Sequence, residues 1–173
     1  MTPSDGNLHG EFEAFFELRH RELSRLAYLL TGDHAAAEDL TGDVLLATWR
    51  QWSGVRESDQ PLAYVRRMMV NMAASRVRRI TRERRRLVLF HVEAPTASAG
   101  PDGAAVVDVR AALLQLPTRR RACVVLRYAF DMSEQHVAQV LNVSVGTVKS
   151  QTSKGAAQLQ RLLGQSLESG WAR

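Results

Sequence analysis

The sequence predicts an all-α protein, and three observations carry that prediction. Apolar residues make up 45% of the 173-residue chain and aromatic residues only 6%, so the apolar set is dominated by Leu, Ala and Val. These residues recur at steps of three and four, which is the period of an amphipathic helix. Many Arg residues lie between them, and this mixture favours helices over strands. The length allows one ordinary domain or two small ones.

The first half of the chain predicts three helices that form one compact unit. The first ends at Thr31-Gly32-Asp33, and Asp33 can cap the second through its side-chain oxygen. Pro61 suits the first turn of the third, because its missing N–H would have no partner there. The predicted helices cover residues 10–30, 34–52 and 61–80, with a polar loop over 53–60.

Positive charge is concentrated in the third helix. Residues 66–86 hold nine Arg and one Glu, whereas residues 1–65 hold 5 basic and 11 acidic side chains. The net charge of +5 is therefore more than accounted for by one 21-residue stretch. Arginines that neutralise phosphates release counterions, which drives association with polyanions. The pattern favours a nucleic-acid-binding surface over an ordinary solvated helix face.

The second half begins after a change in composition and predicts four shorter helices. Residues 93–106 contain two Pro and two Gly among small residues, which is typical of a flexible linker. Periodicity leaves the apolar run at 87–92 undecided. The predicted helices cover residues 107–115, 119–129, 134–141 and 145–163.

The last two predicted helices have the layout of a helix-turn-helix. Ser133 and Ser144 stand where N-caps are needed, and Asn142 falls at the tight turn, where a left-handed conformation is required. Ala138 is small where the helices cross, and Val148 faces inward. An ordinary pair of packed helices would fit part of this pattern.

Nothing in the sequence predicts an enzyme, a cofactor or a metal site. There is no glycine-rich phosphate loop and no nucleophile elbow, and the five His show no ligand spacing with Cys123. An exposed acidic face is expected at Glu38, Asp39 and Asp43. The lone Cys123 is expected to be a buried thiol in a cytoplasmic protein. No stretch is apolar enough to predict a membrane span.

The whole chain from about residue 10 to 164 resembles bacterial RNA polymerase sigma factors of the extracytoplasmic-function (ECF) type, in particular their compact actinobacterial branch. The segments that carry this resemblance are Ala27-Tyr28-Leu29-Leu30-Thr31-Gly32-Asp33, Ala37-Glu38-Asp39-Leu40 leading to Trp49 and Trp52, Ala63-Tyr64-Val65-Arg66-Arg67 with Asn71 and Arg76, and Ser144-Val145-Gly146-Thr147-Val148-Lys149-Ser150. The resemblance implies two small helical domains: sigma domain 2 over 8–86 and sigma domain 4 over 107–164, joined by a linker over 87–106.

The resemblance also implies the partners and the residues that meet them. The second helix would dock on the clamp helices of the largest subunit of core RNA polymerase, and domain 4 on the flap of the second-largest subunit. An anti-sigma protein would restrain the factor. The expected docking residues are Leu40, Asp43, Leu46 and Trp49.

Promoter DNA is the other implied partner. Domain 2 would recognise the −10 element, with Asn71 and the 53–60 loop at an unpaired base and arginines on phosphates. Domain 4 would recognise the −35 element through its last helix. The expected −10 contacts are Arg66, Arg67, Asn71, Arg76, Arg78, Arg79 and Arg82, and the expected −35 contacts are Thr147, Lys149, Ser150, Ser153 and Lys154.

The chain departs from the family pattern in both domains. Gly42 stands where the family usually has Gln, and a glycine inside a helix costs about 0.5 to 1 kcal/mol relative to Ala. Gln151 stands where Arg is common, which implies a weaker or differently specific grip on DNA. A stand-alone helix-turn-helix repressor or activator, and an RNA-binding scaffold, are the competing hypotheses. The acidic, Trp-bearing helix argues against a free-standing repressor, which has no need of it.

Overall fold

The computed structural model describes the backbone of residues 3–89 and 104–170, and every regular element within those ranges is a helix. The prediction of an all-α fold is confirmed. The predicted linker lies largely outside the described residues, while Leu87–Leu89 continue the fourth helix. The first helical unit consists of α1 (Pro3–Thr31), α2 (His34–Arg50), α3 (Trp52–Arg56) and α4 (Pro61–Leu89).

The turn between α1 and α2 has the predicted form. Gly32 has φ +73°, a left-handed conformation that ends α1. Asp33 then caps α2, because its Oδ1 accepts a hydrogen bond of 2.8 Å from the backbone N–H of Ala36. The prediction of a polar loop over 53–60 was wrong in part. Helix α3 covers the first half of that range, and it buries Trp52 and Val55.

The core of the first unit lies where α1, α2 and α4 face one another. Each helix contributes an apolar stripe at helical spacing, and most of these side chains are fully buried. Phe12, Phe15 and Phe16 pack at the edge of this core. The buried residues at its centre are Leu23, Leu26, Leu30, Leu40, Val44, Val65 and Met69.

The second helical unit consists of α5 (Ala104–Gln115), α6 (Thr118–Val124), α7 (Glu134–Leu141) and α8 (Val145–Gly170), with a π-helical turn at Val125–Ala129 directly after α6. In that turn the backbone N–H of Phe130 reaches the carbonyl of Val125 at 3.3 Å. Cys123 is buried, as predicted, and burial raises the pKa of its thiol.

The helix-turn-helix prediction is confirmed in detail. Ser133 caps α7 and Ser144 caps α8, each accepting a hydrogen bond from the backbone N–H three residues later, at 3.2 Å and 3.1 Å. Asn142 adopts the left-handed conformation with φ +54°. Ala138 and Val148 are buried between the two helices.

Helices α6 and α8 cross at Gly155. A Cβ atom added there would lie 2.4 Å from Cγ2 of Val124 and 3.1 Å from Cγ of Arg120. Because real Cβ atoms do not approach so closely, the crossing requires glycine. The position of the second HTH helix therefore depends on one residue that the sequence analysis did not single out.

The two helical units pack against each other: α4 contacts α6 and α7, and α1 contacts α5. Arg121 of α6 is 4% exposed and donates to the carbonyl of Leu30 in α1. Burial lowers the pKa of its guanidinium. The linker composition alone favours two loosely tethered units. In the structure, the described helices of the two units pack against each other.

Candidate nucleic-acid and protein interfaces

The solvent-facing side of α2 carries three of the four residues predicted to dock on core polymerase. Leu46 is 50% exposed and Trp49 is 39% exposed. Asp43 lies about one turn before Leu46 and about two turns before Trp49, on the same side of the helix. Leu40 is different: it has no exposed surface and belongs to the core. We therefore leave Leu40 out of the docking set proposed below, because a side chain buried in the core has no surface to offer a partner.

Trp49 is held in place by the beginning of α1. The ring of Phe12 lies 5.1 Å from the Trp49 ring, and the His9 ring meets it edge-on at 5.5 Å. These contacts fix an exposed aromatic side chain that would otherwise be free to rotate. Sequence reasoning missed His9 and Phe12 as neighbours of Trp49, because contacts between distant residues leave no periodic signal.

Two of the predicted DNA-contacting arginines form ion pairs within the first unit. Arg66 of α4 donates to Glu22 of α1, and its side chain is 16% exposed. Arg76 donates to Asp43 of α2. These pairs tie α4 to its two neighbouring helices. The structure therefore does not bring Arg66 and Arg76 into the group of residues that surrounds Asn71.

Asn71 lines an open pocket of about 400 Å³ between α4 and the end of α2. Tyr64 donates a hydrogen bond of 3.0 Å to Gln51 at the rim. Amide, hydroxyl and guanidinium groups thus converge on a concave surface with methionine walls, an arrangement that suits a planar polar ligand. Some residues that line the pocket were not predicted from the sequence, although Met68 and Ser75 lie three and four positions from Asn71 and so share its side of the helix. The pocket is lined by Ala47, Gln51, Tyr64, Arg67, Met68, Asn71, Met72 and Ser75.

Exposed arginines continue from this pocket along α4. Arg78, Arg79 and Arg82 are all exposed, and Arg78 donates to Ser75 at 2.9 Å. Because Arg78 and Arg82 follow Asn71 at steps of seven and four, they share its side of the helix. The pocket and this basic stripe form one continuous surface.

In the second unit, all five residues predicted to contact DNA lie on the solvent side of α8, opposite the buried Val148, Thr152 and Gly155. The ammonium of Lys149 lies 3.7 Å from a carboxylate oxygen of Glu134, and the Lys149 side chain is 64% exposed. The hydroxyl of Thr147 is 2.9 Å from that of Ser144 at the N-terminus of α8, where backbone N–H groups favour an anion. The exposed set is Thr147, Lys149, Ser150, Ser153 and Lys154.

The two departures from the family pattern have different surroundings. A side chain at Gly42 would meet nothing within 4 Å, so the glycine is not required by packing. Gln151 accepts a hydrogen bond of 3.2 Å from Arg120, which also donates to Gln158 at 2.9 Å. Gln151 therefore helps to hold α6 against α8.

Comparison with protein families assigns both halves of the chain to one class of protein. Residues 15–83 match the model for Sigma-70 region 2, and residues 107–159 match the model for Sigma-70, region 4. The two matches together place the chain among the Sigma-70 class of sigma factors. The region 2 match does not favour a stand-alone repressor or activator.

Comparison with individual relatives identifies a narrower family within this class. It is 33% identical to the ECF RNA polymerase sigma factor SigM of Mycobacterium tuberculosis over 159 residues, which cover 88% of this chain and 77% of the relative. It is 32% identical to the RNA polymerase sigma-E factor of Streptomyces avermitilis over 164 residues, 90% of this chain and 88% of the relative. The chain belongs to the ECF RNA polymerase sigma factors, which direct transcription initiation and are regulators rather than enzymes.

A solved structure supports the same assignment. The sigma factor RpoE in complex with the anti-sigma factor NepR from Bartonella quintana superposes with a TM-score of 0.73 at 25% sequence identity. The match covers 89% of this chain and 97% of RpoE. Among the helices that the structure describes, none combines the length and apolar character needed to cross a membrane. The described residues also contain no group of three or more metal-ligating side chains.

Proposed function

We propose that this sigma factor docks on the clamp helices of the largest subunit of core RNA polymerase through Asp43, Leu46 and Trp49. The exposed side of α2 supports this proposal, because it presents two large apolar side chains next to a carboxylate. Such a surface suits a helical partner with apolar and basic residues. The second unit would contact the flap of the second-largest subunit.

The −10 element is proposed to bind along α4. Asn71 and the pocket around it would receive an unpaired base, which needs hydrogen bonds to its edge and a surface on which to stack. Arg67, Arg78, Arg79 and Arg82 would hold the phosphates on either side. The observation that carries this proposal is the continuity between the polar pocket and the arginine stripe on one side of one helix.

The −35 element is proposed to bind the exposed side of α8. Residues near the start of a second HTH helix are those that reach base edges in the major groove. Lys149, Ser150, Ser153 and Lys154 would read bases or neighbouring phosphates, and Thr147 at the helix N-terminus would contact a phosphate. Because Gln151 is bonded to Arg120, we assign it to holding α6 rather than to reading DNA.

The remaining assignments follow from this function. We propose that domain 2 spans residues 8–86 and domain 4 residues 107–164, with a linker between them over 87–106. The factor would act in the cytoplasm, carry no cofactor and catalyse no reaction itself. RpoE is solved with an anti-sigma factor, and on that ground we propose an anti-sigma protein as a third partner.

Reconstitution tests the proposal directly. The purified factor is mixed with core polymerase, and the complex is probed on promoter DNA carrying a single-base change in either element. Footprints that require core polymerase and that respond to changes in both elements are the expected result. Tight, sequence-specific footprints by the free protein would instead indicate a stand-alone regulator, because the proposed function requires the polymerase scaffold to offset the cost of ordering both units on DNA.

A further inference from the structure

Arg120 of α6 packs across α8, the second helix of the helix-turn-helix. Its aliphatic stem passes over Gly155, where an added Cβ atom would lie 3.1 Å from Cγ and 3.6 Å from Cδ of the arginine. Its guanidinium donates from Nε to Gln151 at 3.2 Å and from Nη1 to Gln158 at 2.9 Å. Two amide side chains of α8 therefore hold one cation of α6 in a defined place.

That place is set by the side of α8 on which the two amides lie. Gln151 and Gln158 are seven residues apart, which is about two turns of the helix. Thr147 and Lys154 belong to the same stripe, at steps of four and three from Gln151. The Arg120 guanidinium therefore lies beside the stripe of α8 that carries two of the proposed −35 contacts.

The two amides position the Arg120 guanidinium without neutralising it. An amide oxygen is an uncharged acceptor, and the two bonds use two of the five N–H donors of an arginine. Arg66 and Arg76 pair with carboxylates, whereas Arg120 forms no ion pair with any residue that the structure describes. Because Arg120 is partly buried, water screens its charge less than that of a fully exposed arginine. The arrangement suits an anion whose oxygens match the planar fork of the guanidinium, such as a phosphate.

Gln151 and Arg120 act as a unit that carries one positive charge. A second guanidinium at position 151 would lie against that of Arg120, and two like charges so close together repel. The neutral amide at 151 avoids this repulsion and accepts a hydrogen bond instead. The arginine on this edge of the helix-turn-helix is thus supplied by α6, a helix outside the motif itself.

We propose that Arg120 is a further DNA contact of the second unit, with its guanidinium bound to a phosphate of the −35 element and with Gln151 and Gln158 as its positioning residues. This inference rests on the −35 assignment proposed above. Arg120 is expected to add affinity but no sequence preference, because a phosphate carries no sequence information. The two amides reduce the entropy that the arginine loses on binding, since they hold it in place beforehand.

The salt dependence of promoter binding tests this role in the complete complex. Arg120→Gln removes the guanidinium. Arg119→Gln is the matched control, because it removes the same charge from the neighbouring, exposed position of α6. Each variant is assembled with core polymerase, and its dissociation constant for promoter DNA is measured between about 50 and about 200 mM salt. Thermal unfolding checks the fold, and Arg120→Met, which keeps an apolar stem over Gly155, replaces Arg120→Gln if that protein does not fold.

Arg120→Gln should weaken promoter binding several-fold at the lowest salt concentration. It should also reduce the slope of log K against log salt by about 0.9, the value for one phosphate contact on duplex DNA. The loss should be equal for every −35 sequence. Arg119→Gln should keep the slope of the parent protein.

Exchanging the two side chains gives a second test. The double variant Arg120→Gln, Gln151→Arg keeps one guanidinium and one amide in the same pair of positions, with their places reversed. It should recover most of the salt slope that Arg120→Gln loses. A side chain that only braces α6 against α8 would affect the stability of the protein and not this slope.

An Arg120→Gln slope equal to that of the parent would overturn the phosphate contact. Equal reductions in Arg120→Gln and Arg119→Gln would overturn it too, since they would reflect net charge alone, and so would an exchanged variant that recovers none of the slope. Lys154→Ala in the same assay separates this inference from the proposed function. An unchanged −35 preference in Lys154→Ala would refute the −35 assignment, whereas a changed preference beside a normal Arg120→Gln slope would refute only the role of Arg120.

Discussion

The carboxylate of Asp43 accepts a hydrogen bond from the guanidinium of Arg76, which joins α2 to α4. One of these residues was expected to meet polymerase and the other to meet DNA. The pair ties the proposed docking helix α2 to the proposed DNA-binding helix α4. Because the Asp43 side chain remains 55% exposed, it is still available to a partner.

The first prediction concerns the docking surface on α2. Trp49→Ala should weaken binding to core polymerase about tenfold or more, which corresponds to about 1.4 kcal/mol, because large aromatic side chains carry much of the energy of an interface. Asp43→Lys should weaken it as well. Titration of labelled factor against core polymerase measures both effects.

Asp43→Lys also breaks the bond to Arg76, so it needs a control. Arg76→Gln removes the ion pair and leaves the Asp43 carboxylate in place. If docking depends on the exposed carboxylate, Arg76→Gln should assemble with nearly normal affinity. Equal losses in both variants would show that the geometry of α2 and α4 matters instead.

The second prediction separates base contacts from phosphate contacts on α4. Asn71→Ala should change the preference at a single unpaired position of the −10 element, because amide groups read base edges. Arg78→Ala should weaken open-complex formation on every promoter alike and lower its salt dependence by about one unit of slope. Transcription from a promoter library by each variant decides this, and an altered sequence profile for Arg78→Ala would refute the division.

The third prediction concerns the recognition helix α8. Lys154→Ala or Ser150→Ala should cost about 1 to 3 kcal/mol at one favoured base of the −35 element. Arg161→Ala removes the same charge from the same helix at an exposed position outside the proposed contact set, and its sequence profile should be unchanged. Identical profiles for Lys154→Ala and the parent would show that Lys154 contacts only phosphate.

The fourth prediction compares one substitution at two helical glycines. Gly155→Ala should destabilise the protein by about 1 to 3 kcal/mol, because the new Cβ would lie 2.4 Å from Cγ2 of Val124. Gly42→Ala should stabilise it by about 0.5 to 1 kcal/mol, because nothing lies within 4 Å of that position. Thermal or urea unfolding measures both, and a destabilising Gly42→Ala would contradict the open surroundings of Gly42.

Local features of the fold could be predicted from the sequence, because neighbouring residues determine them. The Asp33 cap, the start of α4 at Pro61 and the left-handed Asn142 are each specified within a few positions. The short helix α3 was missed, because five residues hold too little periodicity to stand out from a polar loop.

Features that depend on contacts between distant residues could not be predicted. The position of Leu40 in the family motif predicts docking on polymerase. Its side chain is fully buried, and that burial depends on how distant helices pack together. In the sequence, Arg66 and Arg76 belong to the same arginine-rich stretch as Arg78 and Arg82, so composition does not distinguish them. The structure does, because Arg66 pairs with Glu22 and Arg76 with Asp43. The packing of the two units against each other includes bonds such as that from the Arg67 guanidinium to the Val140 carbonyl, 73 residues apart in the chain.

In the proposed function, this chain makes core RNA polymerase specific for promoters through both of its helical units. Multiple-round transcription by core polymerase with the purified factor, on a library of randomised −10 and −35 elements, tests it most directly. Transcripts are expected only when the factor is present, with sequence preference in both elements. Asn71→Ala should alter the preference in the −10 element, and Lys154→Ala the preference in the −35 element. Transcription that shows no preference in either element, or that is unaffected by both variants, would contradict it.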